Sequence, residues 1–145
     1  MKSEMKICAA QTEEEIQSCF PVVKQLRPHL SEKEFVSQVR RQMENHGYRL
    51  IFVQGNGAAK AVGGFRVAEF LAWGKTLYVD DLITNEADRK SGFGGMVLDW
   101  LMQEAKNLGC VEFHLDSGVH RFDAHRLYLI KRMIISSHHF SKKVE

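Results

Sequence analysis

The sequence lacks any apolar run that approaches the roughly 18 residues needed to span a lipid bilayer. Its first residues, Met1 to Lys6, are charged and have no apolar core of the kind that a secretory signal requires. Cysteine is scarce: Cys8, Cys19 and Cys110 lie far apart and form no C-x-x-C pair, which argues against disulfides and a structural zinc site. We therefore expect a cytoplasmic protein without a bound metal, whose cysteines pack as small apolar side chains.

An excess of charge of one sign is also missing. The chain has 20 Lys and Arg residues against 18 Asp and Glu residues, a balance that does not predict nucleic-acid binding. Its 145 residues, with 44% hydrophobic and 26% charged side chains, suit one globular domain. Because no repeat or linker interrupts the chain, we expect a single domain over residues 1–145. Basic residues become more frequent after Ser117, which favours a solvated basic face or a pocket for an anion.

The first half of the chain changes from helical to strand-like periodicity. A short strand is predicted before Thr12, whose spacing from Glu15 matches a capping box at the start of a helix. Pro21 lies inside this helical pattern and should kink or split it. A second helix is predicted between a capping signal at Ser31 and a terminator at Gly47. Three strand-like runs joined by short turns then predict an antiparallel meander, over residues 48–54, 59–70 and 76–84.

The second half predicts a parallel crossover. An amphipathic stripe begins at Phe93 and ends before Gly109, which predicts a long helix, and residues 110–116 follow as a buried-type strand. Asp123 is expected to cap a short helix, and residues 133–142 are expected to return as a last strand. The predicted fold class is α/β, with a mixed, mostly antiparallel sheet flanked by helices.

The turn before the long helix carries the clearest chemical signal, the run D-R-K-S-G-F-G-G over residues 88–95. A glycine-rich turn that enters a helix offers backbone N–H groups at the positive end of the helix dipole, where phosphate or pyrophosphate binds. Gly92 and Gly94 would allow positive φ and close approach of an anion, and Arg89 and Lys90 add positive charge. The run matches neither the P-loop nor the dinucleotide fingerprint. A purely structural turn is the alternative interpretation.

With the preceding run L-Y-V-D-D-L-I-T (77–84), this loop resembles the central motif of the GCN5-related N-acetyltransferases. The run V-H-R-F-D-A-H-R-L-Y (119–128) looks like the last conserved helix of that family. Its D-A-H-R-x-Y part is similar to small-molecule acetyltransferases, including those that act on aminoalkylphosphonates. The resemblance implies the acyl-CoA N-acyltransferase fold and transfer of acetyl from acetyl-CoA to a small-molecule primary amine by direct attack.

The resemblance also implies site residues. Tyr128 would be the general acid that protonates the leaving thiolate. Backbone groups near Leu82 and Ile83 would polarise the acetyl carbonyl, provided that the strand bulges there, and a bulge is indicated because charged Asp81 interrupts the apolar alternation. The residues implied in acetyl-CoA binding are Leu82, Ile83, Thr84, Arg89, Lys90, Ser91, Gly92, Phe93, Gly94 and Gly95.

The general base stays open among carboxylates. Asp81 matches a strand carboxylate that often serves in the family, while Glu69 and Asp80 are alternatives, and each of them suits an exposed position on a sheet equally well. Asp116, at the end of the predicted parallel strand, is a candidate for binding the ammonium of the acceptor. A protonatable His120 or His125 beside the acceptor is a further candidate.

The expected partner is a small-molecule amine, and binding to nucleic acid or to a membrane is not expected. Whether the protein forms a homodimer is left open. The alternative functions are a non-catalytic CoA-binding regulatory module and a protein N-terminal or lysine acetyltransferase. Two positions depart from the family pattern: Arg121 stands where Asn is usual, and Arg132 where Gly is usual. Arg132 is therefore expected either to strain the turn after the last helix or to lengthen that helix.

Overall fold

A five-stranded sheet forms the first of two units in the structure, a computed structural model that describes Met5–Glu145. The first unit ends at Leu115, and the second runs from Asp116 to Glu145. In chain order the elements are β1 (Ile7–Ala9), α1 (Glu13–Leu26), α2 (Glu32–His46), β2 (Arg49–Val53), β3 (Ala61–Phe70), β4 (Gly74–Thr84), α3 (Phe93–Asn107), β5 (Glu112–Leu115) and α4 (Phe122–Ile130). A 3₁₀ turn over Glu86–Asp88 joins β4 to the loop before α3. No helix in the described part of the chain is long and apolar enough to cross a membrane.

The strands are ordered β1-β2-β3-β4-β5, which confirms the predicted mixed sheet. The first four pair antiparallel, as the predicted meander requires, and β5 pairs parallel to β4 after the crossover through α3. Side chains alternate between the two faces of the sheet. Val62 and Ile83 belong to the core cluster with α1 and α2, whereas the backbone of Gly63 approaches Val97 of α3. Helices therefore cover both faces.

The capping box of α1 is confirmed. The Thr12 hydroxyl accepts from the Glu15 amide at 3.1 Å, and the Glu15 carboxylate accepts from the Thr12 amide at 2.9 Å. Pro21 does not split α1, which is continuous from Glu13 to Leu26, so of the two predicted effects the split does not occur, and the kink stays a prediction. Proline removes only one intrahelical hydrogen bond, and the buried stripe that includes Ile16 and Val23 packs before and after it, which stabilises a continuous helix. Ser31 is the N-cap residue of α2 but makes no side-chain capping bond.

A bulge interrupts the pairing of β3 with β4. Gly64 pairs with Asp81 and Phe65 with Val79, so Asp80 is the extra residue on β4. The predicted bulge is confirmed, but it lies before Leu82 rather than at Leu82 and Ile83. The pairing of β4 with β5 reaches only to Val79. Beyond the bulge, the described residues therefore provide no β5 partner for β4.

In the second unit two predictions are wrong, the cap of α4 at Asp123 and the strand after α4. Arg121 occupies the N-cap position, and Asp123 lies in the first turn, where its carboxylate accepts from Arg126 at 2.8 Å. Residues 133–142 have no regular secondary structure instead of the expected strand. The apolar side chains of this segment are exposed, Ile134 and Ile135 each at 81%. Without burial or a partner strand, an alternating pattern does not order a strand.

The turn after α4 resolves the two alternatives for Arg132. Its φ is 65°, so the residue adopts the left-handed conformation instead of lengthening the helix. Its amide donates to the Leu129 carbonyl, and the Met133 amide donates to the Tyr128 carbonyl, both at 3.0 Å. These two bonds form a Schellman motif, in which the left-handed residue is usually glycine.

Candidate active site

Two neighbouring carboxylates at the β4 bulge are each bound by a guanidinium. Asp81 accepts from Arg27 Nε at 3.0 Å and from the Tyr48 hydroxyl at 2.8 Å. Arg27 Nη2 also donates to the main-chain oxygen of Asp80 at 2.9 Å. The carboxylate of Asp80 accepts from Nε and Nη2 of Arg66. These bonds raise the pKa of Arg66. The group joins the end of α1, the residue before β2, and strands β3 and β4.

Tyr48 reaches Asp81 because the residue beneath its ring is glycine. A Cβ at Gly64 would lie 1.9 Å from the Tyr48 hydroxyl oxygen, too close for any other residue without a rearrangement. Burial raises the pKa of Tyr48 well above its usual value, and the negative charge of Asp81 raises it further. Tyr48 is therefore protonated at neutral pH and acts as a hydrogen-bond donor to the carboxylate.

A cavity of about 420 Å³ lies beside this group, between α1, α2 and β4. One part of its wall is apolar and is formed by Val23, Leu30, Phe35 and Val39. The other part is polar and is formed by Arg27, His29, Gln38, Gln42, Tyr48, Tyr78, Asp80 and Asp81. A larger and more open depression lies beside the first turn of α1, and no predicted site residue lines it. The smaller cavity is the candidate site because it contains the β4 carboxylates.

The glycine-rich loop adopts an unusual backbone at two positions. Gly92, the N-cap of α3, has a φ of 83°, as predicted, and the exposed Lys90 has a φ of 67°. The expectation of a positive φ at Gly94 is wrong, because Gly94 lies in the first turn of α3. The first three amides of a helix have no acceptor within it, and the first amide here that bonds back is that of Met96, to the Gly92 carbonyl. Residues 93–95 therefore present an amide cluster suited to an anion.

The other predicted cosubstrate residues lie in the same loop and at the end of β4. Arg89 is exposed, Ser91 is half-buried, and Phe93 is buried beneath the ammonium of Lys60, which lies 5.7 Å from its ring centre. The last residues of β4, Leu82, Ile83 and Thr84, follow the bulge on the stretch that β5 does not pair.

Glu69 lies far from the cavity. It is exposed near the end of β3, where it pairs with Lys75. It lies five positions from Gly64 at the bulge, roughly 17 Å along a strand. The structure therefore brings Asp81 and Asp80 to the cavity wall but not Glu69.

Tyr128 is the buried residue of α4, with 8% of its surface exposed. Burial raises the pKa of this phenol, and the Arg121 guanidinium, which is hydrogen-bonded to it, opposes the rise. In the same unit, Asp116 lies 3.3 Å from His139 Nδ1, and His125 Nε2 lies 2.8 Å from the Gly118 carbonyl oxygen.

Several cavity residues carry no signal in the sequence. Arg27 and Asp81 are 54 residues apart, and Tyr48 and Asp81 are 33 apart. Neither pair follows a motif, and His29 lies in an ordinary loop between two helices. The Gly63-Gly64 pair was the available hint, because glycine inside a strand marks a close approach of other atoms.

Comparisons with known proteins agree with this architecture. A family model described as "Acetyltransferase (GNAT) family" matches residues 9–132. The uncharacterized N-acetyltransferase YhdJ of Bacillus subtilis (strain 168) is 30% identical over 134 residues, which cover 92% of this chain and 94% of that protein. Glucosamine-6-phosphate N-acetyltransferase from Arabidopsis thaliana has a similar fold, with a TM-score of 0.78 and 19% identity over 97% of this chain and 99% of that one. The structure of AAC(6')-Iy with the bisubstrate analogue CoA-S-monomethyl-acetylneamine gives a TM-score of 0.81 at 10% identity, over 98% and 99%. The predicted fold is confirmed.

Proposed function

Because this chain belongs to the GNAT family and is an N-acetyltransferase, we propose that it moves acetyl from acetyl-CoA to the primary amine of a small molecule. The observation that carries the proposal is the β4 bulge, with a carboxylate-lined cavity beside it and the glycine-rich loop following in the chain. The complex of AAC(6')-Iy with a CoA-based bisubstrate analogue supports acetyl-CoA as the donor. A cavity of about 420 Å³ suits a small acceptor.

Acetyl-CoA binding would use the loop and the end of β4. The amides of residues 93–95 and the positive charges of Arg89 and Lys90 suit the pyrophosphate, which carries negative charge. Gly92 lets the main chain turn into α3 without the strain of a Cβ. The backbone of Leu82 and Thr84 would pair with the pantetheine arm, and amides near Ile83 would polarise the thioester carbonyl.

The chemistry proceeds by direct attack. The acceptor ammonium first loses a proton to the base, and its nitrogen then attacks the carbonyl carbon of the thioester. A C–N bond forms as the C–S bond breaks, and the acid protonates the leaving thiolate. The second proton of the nitrogen passes to solvent water, which also returns a proton to the acid and takes one from the base. Asp81 is the proposed base, because its oxygens each keep a lone pair after accepting from Arg27 and Tyr48. Tyr128 is the proposed acid, since its raised pKa keeps the phenol protonated at neutral pH.

The role of Tyr128 is tested by Tyr128→Phe. Loss of a general acid lowers kcat by about 100-fold or more, while the affinity for acetyl-CoA, measured by calorimetry, stays within twofold. Thiol release from acetyl-CoA across a panel of small amines reports turnover. Unchanged kcat removes Tyr128 from the mechanism, and clear acetyl-CoA binding without turnover on any amine contradicts the proposed activity.

The identity of the base is tested with a matched pair of carboxylate variants. Asp81→Asn is expected to lower kcat by about 100-fold, while Glu69→Gln leaves kcat unchanged. The free energy of unfolding of each variant, measured in urea, separates loss of the base from loss of the fold. The reverse result, with kcat lost only in Glu69→Gln, assigns the base to Glu69.

A further inference from the structure

The charged groups at the acceptor cavity largely cancel. Asp81 is paired with Arg27, and Asp80 with Arg66, so two carboxylates meet two guanidinium groups. The side chains of Asp80 and Asp81 are 20% and 16% exposed, so both carboxylates are half-buried. The cavity wall is therefore not strongly acidic. A ligand would contact the hydrogen-bond donors and acceptors that the two ion pairs leave unused.

The unused capacity consists mainly of donors. Arg27 donates from Nε to the Asp81 carboxylate and from Nη2 to the main-chain oxygen of Asp80. Within the described residues its Nη1 donates to no protein group. Its side chain is 41% exposed. His29, two residues further along the chain, lines the same cavity. Gln42 accepts from Gln38 at 3.2 Å through its side-chain oxygen, which leaves its amide NH₂ as a donor.

We propose that the acceptor is a small primary amine that also carries an anionic group, a carboxylate or a phosphate. Arg27 Nη1 and the His29 imidazole bind the anionic group, and the Gln42 amide adds a further donor. The ammonium end binds the lone pairs that Asp81 keeps, where it loses its proton. This inference rests on the proposed function and names its substrate class.

The shape and chemistry of the cavity agree with such a molecule. The apolar side chains opposite the donors, Leu30 and Phe35 among them, suit the short carbon chain that separates the two ionic groups. The volume lies in the lower part of the roughly 300–1,000 Å³ range of ligand pockets. Guanidinium groups bind carboxylate and phosphate oxygens with directed hydrogen bonds, so Arg27 would position the amine as well as attract it.

The first experiment compares acceptors of matched length in steady-state assays with saturating acetyl-CoA. The probes are β-alanine, 2-aminoethyl phosphate, ethanolamine and propylamine. We expect kcat/KM to be at least tenfold higher for a probe with an anionic group than for ethanolamine or propylamine, which lack one. β-Alanine and 2-aminoethyl phosphate distinguish carboxylate from phosphate recognition. Equal or better use of ethanolamine and propylamine overturns this inference and leaves the proposed function intact. Thiol release with none of the amines overturns both.

The second experiment tests the assigned residues through the ratio of kcat/KM for the preferred anionic probe to that for propylamine. Arg27→Gln and His29→Gln are expected to lower this ratio at least fivefold, whereas Arg27→Lys retains part of it. The control Lys24→Gln removes a nearby cation that instead bonds to the Leu30 carbonyl, and the ratio should not change. Because Arg27 also holds Asp81, a merely structural role would lower kcat/KM for both acceptors equally. An unchanged ratio in both Arg27→Gln and His29→Gln overturns the assignment.

Discussion

The hydroxyl of Tyr48 donates a 2.8 Å hydrogen bond to Asp81, which ties the residue before β2 to the bulge of β4. Arg27 binds the other oxygen of the same carboxylate. The Asp81 carboxylate thus connects the end of α1 and the residue before β2 to the bulge of β4, at the wall of the cavity. The position of Asp81 therefore depends on two side chains that are distant from it in sequence.

Removing the Tyr48 hydroxyl tests this dependence. Tyr48→Phe keeps the ring but leaves the charged Asp81 with one donor fewer, and hydrogen bonds to charged groups contribute about 1.5–3 kcal/mol. We expect the free energy of unfolding in urea to fall by about 2 kcal/mol, with a smaller fall in kcat. An unchanged free energy of unfolding would show that water replaces the hydroxyl without cost.

The close approach of Tyr48 to β3 predicts a difference between two adjacent glycines. A Cβ at Gly64 would lie 1.9 Å from the Tyr48 oxygen, whereas one at Gly63 would lie 2.9 Å from a Val97 methyl carbon. Gly64→Ala is therefore expected to lower the free energy of unfolding by about 2–3 kcal/mol and Gly63→Ala by about 1 kcal/mol. Chemical denaturation of both variants provides the comparison. Equal losses would contradict the contact geometry.

Burial of Tyr48 also predicts how stability changes at alkaline pH. The folded state raises the pKa of this phenol, chiefly through burial and further through the charge of Asp81, so folding favours the neutral form. Its contribution is complete below the ordinary tyrosine pKa of about 10 and is lost as pH rises above that value. Unfolding in urea at pH 9 and pH 11 should show a smaller loss of stability with pH in Tyr48→Phe than in the wild type. Tyr128, whose pKa is also raised, is present in both proteins and does not alter the comparison.

The left-handed Arg132 predicts a stabilising substitution. A residue with a Cβ costs about 1 kcal/mol in this conformation, and glycine at C′ of a Schellman motif does not incur this cost. Arg132→Gly should raise the free energy of unfolding of α4 and its turn by up to about 1 kcal/mol. The adjacent Lys131→Gly is the control, because Lys131 has a φ of −79° and glycine there should destabilise. Thermal unfolding measures both, and a lower midpoint for Arg132→Gly would indicate that its side chain makes a compensating contact.

Local sequence signals predicted most of the fold. The capping box at Thr12, the meander and the crossover through α3 depend on side-chain spacing and turn residues, which act over a few positions. The prediction for residues 133–142 was wrong because an alternating pattern does not identify a partner strand. Pro21 does not split α1, because burial on both sides of it outweighs one missing hydrogen bond.

The candidate site likewise has one part that is local in the sequence and one part that depends on distant residues. Residues 88–95 lie in a single turn, so glycine, charge and the family resemblance together indicated the loop. The cavity depends on contacts between residues that are far apart in the chain, such as Arg27 and Asp81, and no pattern within one segment encodes them. Asp81 was indicated as a charge that interrupts an apolar strand and by the family resemblance, but its partners became visible only in the folded chain.

Like Arg132, Lys90 has a side chain and a positive φ, which is 67°. Its backbone is therefore strained at a position proposed to bind the pyrophosphate of acetyl-CoA. In Lys90→Gly the strain is relieved, so the free energy of unfolding should rise by up to about 1 kcal/mol. The same change removes a positive charge from the loop proposed to hold pyrophosphate, so KM for acetyl-CoA should rise about fivefold, close to 1 kcal/mol. Lys90→Arg is the control: it keeps both the charge and the strain, so neither quantity should change. If the glycine variant alone is more stable and has a higher KM for acetyl-CoA, the positive φ of Lys90 is retained for binding. An unchanged KM would remove Lys90 from the pyrophosphate site.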